Sequence, residues 1–260
     1  MTIQLRQICL VARELRPVID DLTTVLGIKA CFVDPGVGAF GLENTLMCIG
    51  RNFLEVVAPV EENTAGGRYL DKRGGDGGYM VICQADSKEN QQAVRQNALD
   101  NGIRIAHEAD RENWNICQIH PGDMIASFFE VEWVPPNDFN GNWMPAGGLG
   151  WEDKVDQTST IDFLAVELQG NDPVELADRW GKVAGLPIDR DGDVLSMRLN
   201  NVDIRFIEAK DGRGPGLGGL DIAVNNRAGI LERAKARGSY VTEDQVMLCG
   251  TRWNLVEAHA

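Results

Sequence analysis

Apolar and polar positions along the chain follow a phrase that occurs four times: an apolar strand, an amphipathic helix closed by glycine, then further apolar or β-branched runs. The glycine joints read Leu26-Gly27-Ile28, Asn101-Gly102-Ile103, Ala184-Gly185-Leu186 and Arg237-Gly238-Ser239. Glycine just past a helix takes the left-handed conformation without a Cβ penalty, so these positions predict four helix ends.

In the first unit Arg6 to Val11 reads as a strand, and Pro17 opens a helix with Ile19, Leu22, Val25 and Leu26 on one face. Strands follow at Ala30 to Val33, Thr45 to Ile49 and Asn52 to Ala58, the last two joined by a Gly50-Arg51 hairpin turn. The unit is therefore βαβββ. The second begins after the glycine-rich segment 74–78 with a strand from Tyr79 to Gln84. Asp86 and Glu89 form a capping box for a helix ending at Gly102, and strands near Ile103, Asn115 and Phe128 complete the unit.

The third unit has a strand from Ile161 to Leu168 and the helix-start signature Asp172-Pro173-Val174-Glu175. Its helix runs to Gly185, and strands at Val194 to Leu199 and Val202 to Glu208 flank an Asn200-Asn201 turn. The fourth reads as shortened: a strand at Leu220 to Val224, a helix to Gly238 and a closing strand at Arg252 to Val256. Between the halves, residues 135–159 carry Pro135-Pro136, Asn140-Gly141, Gly147-Gly148, Trp143 and Trp151. That length implies a linker or covering loop, with both tryptophans packed against the domains. The expected division is 1–134, a 135–159 linker and 160–260, in the α+β class.

Composition narrows the function. The chain has 260 residues and a formal charge of -14, which repels nucleic-acid phosphates and anionic membranes. No run is long enough to span a membrane and the N-terminus has no signal-peptide pattern, so a cytoplasmic location is expected. Six cysteines stand singly in apolar runs without a CxxC pair, which predicts buried reduced thiols rather than a zinc or thiol-redox function.

Three stretches are more specific: Leu5-Arg6-Gln7-Ile8-Cys9-Leu10-Val11, Asn52-Phe53-Leu54-Glu55-Val56-Val57-Ala58-Pro59, and His120-Pro121-Gly122-Asp123 leading into Phe129-Glu130-Val131. With the fourfold repeat they resemble the vicinal oxygen chelate superfamily: glyoxalase I, methylmalonyl-CoA epimerase, extradiol dioxygenases and bleomycin-resistance proteins. The resemblance implies four βαβββ units arranged as two paired glyoxalase-like domains. It also implies a cup in which side chains from the first and last strands of each unit hold a divalent metal ion.

Strand alternation provides a second route to the same positions. If Ile8 and Leu10, Leu54 and Val56, Met80 and Ile82, and Phe129 and Val131 face the helices, then Gln7, Glu55, Tyr79 and Glu130 face the cup. Gln7, Glu55 and Glu130 are the candidate metal ligands, and Tyr79 stands where the family commonly has histidine. Glu55, Glu130 and Tyr79 are the candidate catalytic groups, with His120 and Arg205 as candidate substrate contacts. His107 and His259 read as surface residues. The corresponding second-half positions, Phe163, Arg205, Asp221 (or Leu220, if the register slips) and Asn254, do not form a chelating set, which disfavours extradiol cleavage. Arg205 there either binds a carboxylate or is neutralised by Asp221 and Asn254.

Two functions follow as expectations. One is a glyoxalase-like lyase or isomerase that takes a small oxygenated metabolite through an enediolate in the first-half cup. The other is a metal-free, bleomycin-resistance-like binding protein. The expected partner is a small molecule, with no nucleic acid or membrane, and the chain is a monomer or a homodimer.

Overall fold

A computed structural model describes residues 1–143 and 146–258; His259 lies outside them. The first phrase folds as β1 (Ile3–Val11), α1 (Leu15–Leu26), β2 (Lys29–Phe32), β3 (Leu42–Ile49) and β4 (Asn52–Pro59). An additional helix, α2 (Ala65–Arg73), follows it. Thr64 caps α2 by accepting from Gly67 N, in a glycine-containing stretch whose weak helix propensity hid it from the sequence reading. The second phrase is β5 (Gly77–Ala85), α3 (Lys88–Asp100), β6 (Ile105–Asp110), β7 (Asn115–Ile119) and β8 (Phe128–Trp133).

The third phrase is β9 (Thr160–Gly170), α4 (Pro173–Ala184), β10 (Asp189–Asp191), β11 (Val194–Arg198) and β12 (Asp203–Glu208). The fourth is β13 (Gly216–Val224), α5 (Arg227–Arg237), β14 (Tyr240–Thr242), β15 (Gln245–Leu248) and β16 (Thr251–Glu257). It is not shortened: β14 is three exposed residues, too short and too open to leave an apolar pattern.

The four joint glycines end their helices as expected, with φ of 72° at Gly27, 69° at Gly102, 65° at Gly185 and 72° at Gly238. Asp172 caps α4 by accepting from Val174 N at 2.9 Å and Glu175 N at 3.1 Å. The start of α3 differs from the expected capping box. Ser87 is its cap and accepts from Asn90 N, while Asp86, one residue earlier, accepts from Thr2 N and Asn90 Nδ2.

The strands form two eight-stranded mixed sheets of matching order, β2-β3-β4-β1-β5-β8-β7-β6 and β10-β11-β12-β9-β13-β16-β15-β14. This is α+β architecture built from paired βαβββ modules. Contacts group the chain into two compact units. The first comprises Met1–Ile8, Tyr79–Met144 and Ala165–Leu217; the second comprises Cys9–Gly78, Pro145–Leu164 and Gly218–Ala260.

In the first unit α3 packs on α4, and Trp180 of α4 lies 4.8 Å from the Phe129 ring and 6.5 Å from Phe206. Its Nε1 donates to Met124 O at 3.0 Å, so the indole is buried with its polar atom satisfied. In the second unit α1 packs on α5, and the Arg233 guanidinium closes the end of α1 by donating to Val25 O. There Trp151 packs edge-on to Phe53, with ring centroids 5.0 Å apart. No helix among the described residues is long and apolar enough to cross a membrane.

Candidate functional site

The site is set by strand register in the first unit. β5 pairs with β8 in parallel, with Ile82 opposite Glu130 and Gln84 opposite Glu132. β7 runs antiparallel to β8 with Gln118 opposite Glu130, and β6 antiparallel to β7 with His107 opposite Gln118. Residues opposite one another share a face, so Ile82, Glu130, Gln118 and His107 form a row across four strands. Gln84, Glu132 and Ile116 form the next row. Phe129 and Val131 point the other way, Phe129 onto Trp180 of α4. The polar row therefore looks away from the helices. Glu130 is buried, and Gln118 and His107 are half-exposed, so the row opens to solvent toward β6.

Glu130 and Glu132 are 3 % and 2 % exposed and hydrogen-bond each other. Burial pushes the Glu132 carboxyl well above its usual range, and the neighbouring Glu130 pushes it further. Trp114 Nε1, which donates to Glu132 Oε2 at 2.6 Å, and the charge of Arg6 act in the opposite direction. Burial also raises Glu130, while hydrogen bonds from Glu132 and Gln118 and the charge of His107 hold it down. The pair therefore retains a proton above the ordinary carboxylate range, with Glu132 as the O–H donor and Glu130 as acceptor.

Tyr79 does not share a face with Glu130: the register puts Met80 opposite Phe128 and Ile82 opposite Glu130. The expected assignment of Met80 and Ile82 to the helix side was thus one residue out of phase, because β5 is apolar on both faces and alternation does not orient it. The Tyr79 ring packs edge-on to Phe128 at 5.1 Å.

Gln7 Oε1 accepts from Trp143 Nε1 at 3.2 Å. The same indole lies under the Arg6 guanidinium, which also donates to Gln84 Oε1 and to the carbonyls of Asp138, Phe139 and Gly141. Trp143 is buried as expected for the linker. Glu55 belongs to the second unit, where its Oε1 accepts from Asn44 Nδ2 at 2.6 Å.

His120 occupies a turn after β7. Its carbonyl accepts from Asp123 N and Met124 N, and its Nδ1 accepts from Gly122 N. Arg205 donates to Glu167 at 2.8 Å, the residue opposite it in β9. Asp221 accepts from Asn254 Nδ2, and Asn254 Oδ1 accepts from Gln245 Nε2. Glu132, Gln118, His107 and Trp114 were missed from sequence. The available signal was the Glu130-x-Glu132 spacing, which places two carboxyls on one face of a strand.

The expected ligands have other partners here: Gln7 and Glu55 oxygens accept from Trp143 and Asn44, Glu130 is hydrogen-bonded to Glu132, and Met80 offers only a thioether on that face. Among the described residues no group of three or more His, Cys, Asp or Glu could hold a metal ion.

No protein-family model matches the sequence, and no curated protein does. Solved structures do match. A hypothetical protein from Staphylococcus aureus is 14% identical with a TM-score of 0.63, covering 99% of this chain and 100% of that one. A Mn(II)-bound glyoxalase from Novosphingobium aromaticivorans is 12% identical with a TM-score of 0.64, covering 98% and 81%. A mutant of 4-hydroxymandelate synthase from Streptomyces coelicolor is 15% identical with a TM-score of 0.63, covering 91% and 75%. These likenesses show a shared fold, that of the glyoxalase and the 4-hydroxymandelate synthase. The two sheets of this chain have matching strand orders, and the fold leaves the chemistry to the side chains that each sheet presents.

Proposed function

We propose that the protein acts on a small oxygenated molecule by proton transfer at Glu130. The reaction would be a lyase or isomerase step through an enediolate-type intermediate, using the chain's own carboxyls and no resident metal. The observation that carries this reading is the buried Glu130–Glu132 pair at the inner end of a polar row. Glu130, as acceptor, is the base for a proton next to a carbonyl, and Glu132, holding its O–H, is the donor to the developing oxyanion. Gln118 and His107 supply further polar contacts along the entry side. A charge of -14 suits a small-molecule partner better than a polyanion.

The test is proton exchange in deuterium oxide with 2-hydroxyketones, 2-ketoacids and acyl thioesters, followed by NMR. Wild-type protein prepared with chelator washes deuterium into one class, and Glu130→Gln does not. Exchange that survives Glu130→Gln, or that requires added divalent ion, overturns the reading. A second reading is sequestration without chemistry. It predicts saturable binding with no exchange.

A further inference from the structure

Cys31 and Cys48 meet in the second unit through an irregularity of strand pairing. β2 runs antiparallel to β3 with Lys29 opposite Cys48, Ala30 opposite Met47 and Phe32 opposite Leu46. Cys31 is the extra residue of that bulge, so its side chain is re-aimed relative to a regular ladder. Its Sγ lies 3.4 Å from Leu46 O, and its S–H is within reach of the Cys48 sulfur, with which it hydrogen-bonds. Cys31 is half-exposed and Cys48 is buried. Cys48 Sγ also donates to Trp151 O at 3.6 Å, at the first residue of a short 3-10 helix, Trp151–Lys154, in the linker.

Cys83 and Cys117 provide an internal contrast. Both lie opposite Val131, one in β5 and one in β7, with β8 between them. Two strand spacings amount to about 9.6 Å, beyond the reach of a disulfide. Sequence spacing gave no hint of the Cys31–Cys48 pair, because the bulge brings together residues of two strands with no CxxC signature.

We propose that Cys31 and Cys48 form a reversible dithiol–disulfide site, oxidised by hydrogen peroxide, whose closure releases the linker segment from β3. The hydrogen bond from Cys31 eases loss of the Cys48 proton, while the same contact and burial keep the proton on Cys31. Cys48 is therefore the attacking sulfur. Its thiolate forms an S–O bond as the peroxide O–O bond breaks, and the departing hydroxide takes a proton to become water. Cys31 sulfur then displaces the hydroxyl of the Cys48 sulfenic acid as a second water, and the S–S bond forms. Two thiols and one hydrogen peroxide give one disulfide and two waters. The product has no S–H, so Trp151 O loses its donor.

The test treats the full chain with hydrogen peroxide and maps it by mass spectrometry without reduction. The expected result is a loss of two hydrogens and a peptide containing Cys31 joined to one containing Cys48, both reversed by dithiothreitol. Amide exchange at Asp153 and Val155, whose N–H groups bond Gly150 O and Glu152 O, rises on oxidation and returns on reduction. Cys31→Ser removes both effects. Oxidation that leaves isolated sulfenic or sulfinic acids with no Cys31–Cys48 link overturns the site. A link that leaves exchange at Asp153 and Val155 unchanged overturns the release.

Discussion

Glu132→Gln isolates the titration of the buried carboxyl pair from its shape. The amide keeps an oxygen for Trp114 Nε1 and an N–H for Glu130, so packing and hydrogen bonds survive while one ionisation disappears. In the unfolded chain both carboxyls titrate near the ordinary glutamate value of about 4.3. In the native protein both lie higher, chiefly through burial. As pH rises above the ordinary value, the unfolded chain loses protons that the native chain retains, so wild-type stability falls with pH across that window. One retained proton gives a slope of about 1.4 kcal/mol per pH unit.

The variant gains stability relative to wild type as pH is raised from about 5 to about 7, with a difference that grows by up to about 1.4 kcal/mol per unit. Urea unfolding followed by tryptophan fluorescence, with constant slopes against denaturant, measures that difference directly. Asp123 and Asp156 have depressed values because Arg104 and Lys29 hold them. Their contribution is present above the unfolded value and is lost as pH falls through the native one, so it lies below this window and cancels between the two proteins. A difference that is flat, or that shrinks as pH rises, refutes the buried pair as a shared-proton site.

Two further substitutions test the packing within each unit. Trp180→Ala removes the indole between Phe129 and Phe206 and its bond to Met124 O, and should cost about 3–5 kcal/mol in urea unfolding. Gly147→Ala places a Cβ 2.7 Å from Phe53 ring carbons at a φ of 84°, and should destabilise by about 2 kcal/mol or more, read as a lower unfolding midpoint.

The fold was legible because its punctuation is local. A glycine after a helix, or Asp172 before Pro173, acts through its own backbone and nearest hydrogen bonds, so Gly27, Gly102, Gly185, Gly238 and the Asp172 cap needed no tertiary information. The elements that escaped were those whose signal is weak or shared. β14 has no buried face to create a pattern, and the α2 sequence contains consecutive glycines. The Asp86–Ser87 choice of cap turns on which of two adjacent polar residues has the extended backbone, and Ser87 has it, with φ of -155°.

The site required knowledge of which face each strand presents, and alternation determines this only where one face is polar. β5 is buried throughout and apolar at Tyr79, Met80, Val81, Ile82 and Cys83, so either phase satisfies its sequence. β8 is different: Glu130 and Glu132 two residues apart lie on one face, and Phe129 and Val131 on the other. Once β8 is oriented by its charges, register transfers the phase to β5 and β7, selecting Ile82 and Gln118 and, one strand further, His107. Two adjacent buried carboxyls strongly disfavour carrying both charges together, so retention of one proton follows from the same spacing. The strand that fixes the geometry of the row therefore also places the two carboxyls on which the proposed proton exchange rests.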